Sequence, residues 1–111
     1  MSVLPGINQY TEGDVVVCDV QFRNEITKLA EDPTTLTFYY QPDGSSPSET
    51  ITYTGAVVPS VGVIARLGVG WYRTYVTSTG LQGLIGEHYT GTGAAQAPGD
   101  RQFWVNPRLY P

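Results

Sequence analysis

The chain reads as all-β: one sandwich of about seven short antiparallel strands, with no disulfide. Three observations predict this. At 111 residues the chain is long enough for one domain with a modest single core. Its 13 Thr, 12 Val and 8 Tyr suit a pleated, half-buried surface. Its 13 Gly and 8 Pro punctuate the chain at short intervals, and no long helix-forming stretch interrupts the alternation of apolar and polar residues.

Residues 1–12 lack periodicity and are expected to form an extended N-terminal arm, followed by the sandwich over 13–106 and a tail over 107–111. The strongest strand signal is 14–23, where Val16, Cys18, Val20 and Phe22 share one face and Val15, Val17, Asp19 and Gln21 the other. Residues 24–33 form a polar connection in which Ile26, Leu29 and Ala30 can support one helical turn before Pro33 forces an extended restart. The strand at 34–41 turns Leu36, Phe38 and Tyr40 inward and Thr35, Thr37 and Tyr39 outward. Pro42-Asp43-Gly44 then makes a turn: proline presets φ, aspartate bonds its own backbone, and glycine accepts a positive φ. Residues 45–48 lengthen it into a loop.

Short strands are expected at 49–54 and 61–67, with a loop at 55–60 between them. Gly68-Val69-Gly70 turns the chain into 71–78, where Tyr72, Thr74 and Val76 share one face and Trp71, Arg73, Tyr75 and Thr77 the other. A strand over 84–90 points Ile85 and Tyr89 at the core. Residues 91–100 form a small-residue connection, and the last strand, 101–106, turns Phe103 and Val105 inward and Trp104 outward. Seven strands at this spacing are those of an immunoglobulin-like sandwich, although a small barrel fits the spacing too.

The net charge of −4 is mild and the arginines (Arg23, Arg66, Arg73, Arg101, Arg108) are scattered, so no nucleic-acid partner is expected. No apolar run approaches the ~20 residues of a membrane helix, and the first residues lack the basic and apolar regions of a signal peptide, so no membrane partner is expected either. Cys18 is the only cysteine, which excludes an intrachain disulfide and fits folding in a reducing cytoplasm. Between apolar neighbours, and with no cation nearby in sequence, it reads as a buried structural thiol.

The inventory for chemistry is thin. His88, the single histidine, falls on the face away from the core and reads as a structural or interface residue. One histidine and one inward cysteine cannot make a zinc site, and the carboxylates show no calcium-loop pattern. Glu31, Asp32 and Asp100 read as solvated turn residues. Strict alternation points Glu87 inward, so either a bulge near Gly86 or a position on the rim is expected. Gly91-Thr92-Gly93 lacks the helix that a phosphate-binding loop needs. No catalytic, cofactor-binding or metal-binding residue is therefore expected, nor any cofactor or enzymatic activity.

What stands out is aromatic side chains aimed outward. Tyr39, Trp71, Tyr75 and Trp104 alternate away from the core, and Tyr10 and Tyr110 lie in the terminal arms. Tyr and Trp bury much area at low entropic cost, so these six are the candidate partner-binding residues.

Several landmarks recur in a fixed order: Tyr10-Thr11-Glu12-Gly13-Asp14, Asp32-Pro33-Thr34-Thr35-Leu36-Thr37-Phe38, Pro42-Asp43-Gly44, Gly70-Trp71-Tyr72-Arg73, Gly91-Thr92-Gly93-Ala94-Ala95-Gln96-Ala97 and Phe103-Trp104-Val105. In this order and spacing, over residues 10–106, the chain resembles a family of small immunoglobulin-like proteins of tailed bacteriophages and prophages. It departs from that pattern at Glu87, where similar chains carry an aromatic, and at Gln82-Gly83, where they often have a Pro-Gly turn. The resemblance implies a virion structural role, foremost a capsid decoration or cement protein. Its partners would be the major capsid protein or other virion proteins, and it would form a homo-oligomer, commonly a trimer, on the shell surface after assembly in the host cytoplasm. A module of the neck or tail, or an adhesion domain for a host-surface glycan or protein, is the alternative expectation.

Overall fold

A computed structural model describes residues 7–96 and 100–109. All of its regular elements are strands: β1 (Asn8–Thr11), β2 (Val15–Gln21), β3 (Arg23–Asn24), β4 (Leu36–Pro42), β5 (Ile51–Thr52), β6 (Ala65–Gly68), β7 (Trp71–Thr77), β8 (Gly83–Gly91), β9 (Ala95–Gln96) and β10 (Arg101–Asn106). They form a five-stranded sheet in the order β1-β10-β8-β4-β5, a three-stranded sheet β2-β7-β6 and a two-stranded sheet β3-β9.

The two larger sheets enclose one core. Val16, Cys18 and Val20 of β2 with Tyr72 and Val76 of β7 meet Leu36 and Phe38 of β4, Ile85 of β8, and Phe103 and Val105 of β10. These are the inward positions that a two-residue period assigns, because successive side chains on a strand point to opposite faces. Aromatic edges tighten the packing, with Phe22 and Tyr53 each meeting Tyr72 at nearly right angles. The Tyr89 hydroxyl donates to the Cys18 carbonyl and so ties β8 to β2 across the core.

Three expectations need correction. The segment Asn8–Thr11 is not a free arm: it pairs in parallel with β10, from Asn8 opposite Phe103 to Thr11 opposite Asn106, so the strands are not all antiparallel. The first six residues of the expected arm lie outside the described residues. Residues 24–30 form no helical turn. The Asn24 side-chain oxygen accepts from the Ile26 and Thr27 amides (2.8 and 2.9 Å), the Asn24 amide donates to the Leu29 carbonyl (2.8 Å), and Lys28 sits at φ 65°. This local cap competes with a helix and wins. The small-residue connection also hides a strand, β9, whose Ala95 is buried and pairs with Asn24.

Asp32 is not a free turn residue. Its Oδ1 accepts from the Gly70 amide (2.7 Å) and from the Tyr72 hydroxyl (3.0 Å), and the Arg66 guanidinium reaches its Oδ2 at 3.1 Å. It thereby pins the 25–35 connection to the β6–β7 turn. Partial burial pulls its pKa up, but the hydrogen bonds from Arg66, Gly70 and Tyr72 outweigh this and hold the carboxyl below its usual range. A lowered folded pKa stabilises above the unfolded carboxylate range and is lost as pH falls through the folded value. Asp32→Ala strands the buried Tyr72 hydroxyl and the Gly70 amide, and is expected to cost about 2 kcal/mol by these hydrogen bonds alone. The half-exposed Arg66 pair adds little. Thermal melts at pH 7 and pH 3 check this, with the gap between variant and wild type narrowing at the lower pH.

Candidate functional site

The outward aromatics divide between two opposite faces. Tyr39 on β4 and Trp104 on β10 lie on the outer face of the five-stranded sheet, both half-buried. Tyr39 stacks on His88 of β8, its cross-strand partner, with ring centroids 4.6 Å apart. The Trp104 indole donates to the Asn106 side-chain oxygen at 3.1 Å. Trp71 and Tyr75 of β7 lie on the outer face of the three-stranded sheet, where the Arg73 guanidinium sits 5.9 Å from the Trp71 ring. Tyr10 is neither on an arm nor on a face: it packs against the core, edge-on to Phe103, and hydrogen-bonds with the Val17 backbone at the free edge of β2. Tyr110 lies outside the described residues. The six candidates therefore do not make one surface.

On the five-stranded side, a cleft of about 330 Å³ is lined by Gln41, Asp43, Gly86, His88, Arg101 and Gln102, among others. The His88 Nδ1 lies 3.0 Å from the Asp100 carboxylate. A Cβ at residue 86 would come within 3.1 Å of Nε2, so glycine on this central strand leaves room for the imidazole to lie across it. No nucleophile faces that ring, so the pair has no proton to take in a covalent step. Among the described residues, no three His, Cys, Asp or Glu side chains converge as metal ligands.

Glu87 is the unusual buried group. Registers on both sides of β8 run without a break through Gly86, so no bulge turns it away and it points inward as strict alternation requires. It is 7% exposed and lines an opening of about 500 Å³ beside Ile7, Asn8, Val17 and Arg101, which is a rim position. Its carboxyl faces the Cys18 thiol as a hydrogen-bond partner. Burial first, and then the Glu87 charge, push the thiol far up, so Cys18 is an inert thiol. Burial likewise raises the Glu87 pKa, against lowering by Cys18 and Arg101.

The sign for stability follows. A raised folded pKa favours folding below the unfolded value, near 4.5, and that contribution is lost as pH climbs through the folded value. Glu87→Gln is therefore expected to melt above wild type at pH 7, with the difference closing as pH falls below about 4. Paired calorimetric scans from pH 3 to pH 8, which bracket the ordinary glutamate range, measure this. A constant offset across that range contradicts it.

The exposed apolar side chains were not singled out by sequence reasoning. Val15 and Val17 point away from the core on β2, and Val57, Val58, Val61 and Val63 stand on the segment leading into β6. Alternation puts Val15 and Val17 outside, but which sheet covers them depends on pairings far apart in sequence. Comparison of the chain with protein-family models, with curated proteins and with solved structures gives no match.

Proposed function

We propose that this chain is a non-enzymatic, immunoglobulin-like docking module of a tailed-phage virion, acting as a capsid decoration protein that reinforces contacts between shell subunits. The observation that carries the docking reading is the apolar outer face of β2 and β7, which is bare of unpaired charge and has no cover among the described residues. The phage assignment rests on the ordered landmarks from Tyr10 to Val105. The strand order supports the immunoglobulin-like arrangement: two facing sheets, with β4, β8 and β10 adjacent in one and β2, β7 and β6 in the other. So does the meeting of Cys18 on β2 with Glu87 on β8, where antibody domains carry their inter-sheet disulfide.

Purified shells lacking this chain test the function. Added wild-type protein is expected to rebind saturably and to raise the temperature at which the shells open. Shells that neither bind it nor gain stability would contradict the reading. A second reading, an adhesion module for a glycan, draws on the polar cleft beside His88. Binding of the isolated domain on a glycan array would favour it.

A further inference from the structure

Large apolar side chains reach solvent unevenly over this molecule. Six valines, Val15, Val17, Val57, Val58, Val61 and Val63, are exposed by 37% to 74%, and all belong to β2 or to the segment leading into β6. Trp71 on β7 joins them. Among the described residues, no strand of the five-stranded sheet carries a side chain of this exposed class. The face is continuous at its centre: Val17 stands opposite Tyr75, and Tyr75 is bridged on its other side to Val61.

Charge is as telling as area. The only charged side chains on the outward rows of β2 and β7 are Asp19 and Arg73, which bond to each other twice, at 2.6 and 2.8 Å. The face is therefore electrically closed, although the chain carries a net charge of −4. A partner chosen by charge would find nothing to pair with; an uncharged apolar surface would.

Size then separates a second copy from a larger particle. The six valines present roughly 500 Å² to solvent, at the upper end for the largest patch on a monomer. That falls short of the ~800 Å² per partner of a standard stable interface. One such contact is weak, but copies repeated on a lattice gain avidity when a neighbouring contact holds them in place.

We propose that the outer face of the three-stranded sheet, centred on Val17, Tyr75 and Val61, is the surface that seats this chain on an uncharged, apolar area of the phage shell. This deepens the decoration reading and rests on it. The test adds wild type and two double variants to shells lacking the chain, with melting checks on each. Val17→Asp with Val61→Asp puts two charges on the proposed face. Thr90→Asp with Gln102→Asp puts the same two charges on the opposite sheet. The first pair is expected to weaken shell binding by at least about 100-fold, since a buried, unpaired charge is costly. The second should bind within about twofold of wild type, as expected for surface changes remote from the contact.

Binding lost with the second pair and kept with the first overturns the proposal and leaves the decoration function standing. Wild type failing to bind removes both. Sedimentation of the free protein closes the remaining gap. A monomer is expected, and self-association abolished by the first pair would assign the face to a second copy and overturn the proposal.

Discussion

Gly70→Ala is expected to destabilise the fold by about 4 kcal/mol, the largest loss foreseen for any single added methyl. Gly70 closes the turn between β6 and β7 at φ +69°, a conformation that an L side chain rarely adopts. A Cβ there would lie 2.4 Å from the Phe22 carbonyl oxygen, 2.9 Å from the Glu31 carbonyl oxygen and 3.0 Å from the Glu31 nitrogen. All three are backbone atoms, so no side chain can swing aside. The same residue donates its amide to Asp32 and accepts the Phe22 amide at 2.7 Å. Relief of the clash would therefore break hydrogen bonds that hold three segments together. Strain of about 1–3 kcal/mol from the backbone conformation and about 1–3 kcal/mol from a lost buried hydrogen bond set the magnitude. Urea unfolding of variant and wild type measures it. A loss below about 1 kcal/mol would mean that the corner yields more readily than its packing implies.

The proposed immunoglobulin-like arrangement sets the second large effect, in the opposite direction. Cys18 and Glu87 meet across the core from opposite sheets. Glu87→Cys is expected to form an inter-sheet disulfide under oxidising conditions. It would close a loop of about 70 residues and stabilise the fold by about 3 kcal/mol, allowing for some strain against the chain-entropy value. Reduction should return the variant to near wild-type stability or above it, because the buried carboxyl is gone in either state. Thiol counting after unfolding and melts with and without reductant provide the measurement. Two free thiols that persist in oxidant would contradict the facing geometry of these positions.

Much of the core was legible because alternation is a local property. The inward sets of β2, β4, β7 and β10, from Val16 to Val105, follow from a two-residue period alone. What escaped is non-local or too short to show a period. The polar run at Asn8–Thr11 gives no hint that it pairs with a strand nearly a hundred positions later. The pairing of Arg23–Asn24 with Ala95–Gln96 is two residues long. Asp32 reads as a solvated turn residue because its partners, Arg66, Gly70 and Tyr72, are distant in sequence.

The candidate site divides in the same way. That Trp71, Tyr75 and Val17 point outward could be read from β2 and β7 separately. That they share a face with Val61, while Tyr39 and Trp104 occupy the opposite one, depends on sheet membership. Tyr10 shows the limit most clearly. An aromatic in an unpatterned segment looked available to a partner, yet its ring is committed to Phe103 and its hydroxyl to the edge of β2. That contact also blunts the free edge of a valine-rich strand, which would otherwise invite pairing with another chain.

The account's central claim is that this chain docks on a phage shell through the outer face of its three-stranded sheet. An image reconstruction of the native particle, at a resolution that separates the two sheets, tests it most directly. The account predicts density for this fold on the outside of the head, with Val17, Tyr75 and Val61 against the shell and the His88 cleft facing solvent. Density in the neck or tail, or on the head with the five-stranded sheet against the shell, would contradict it.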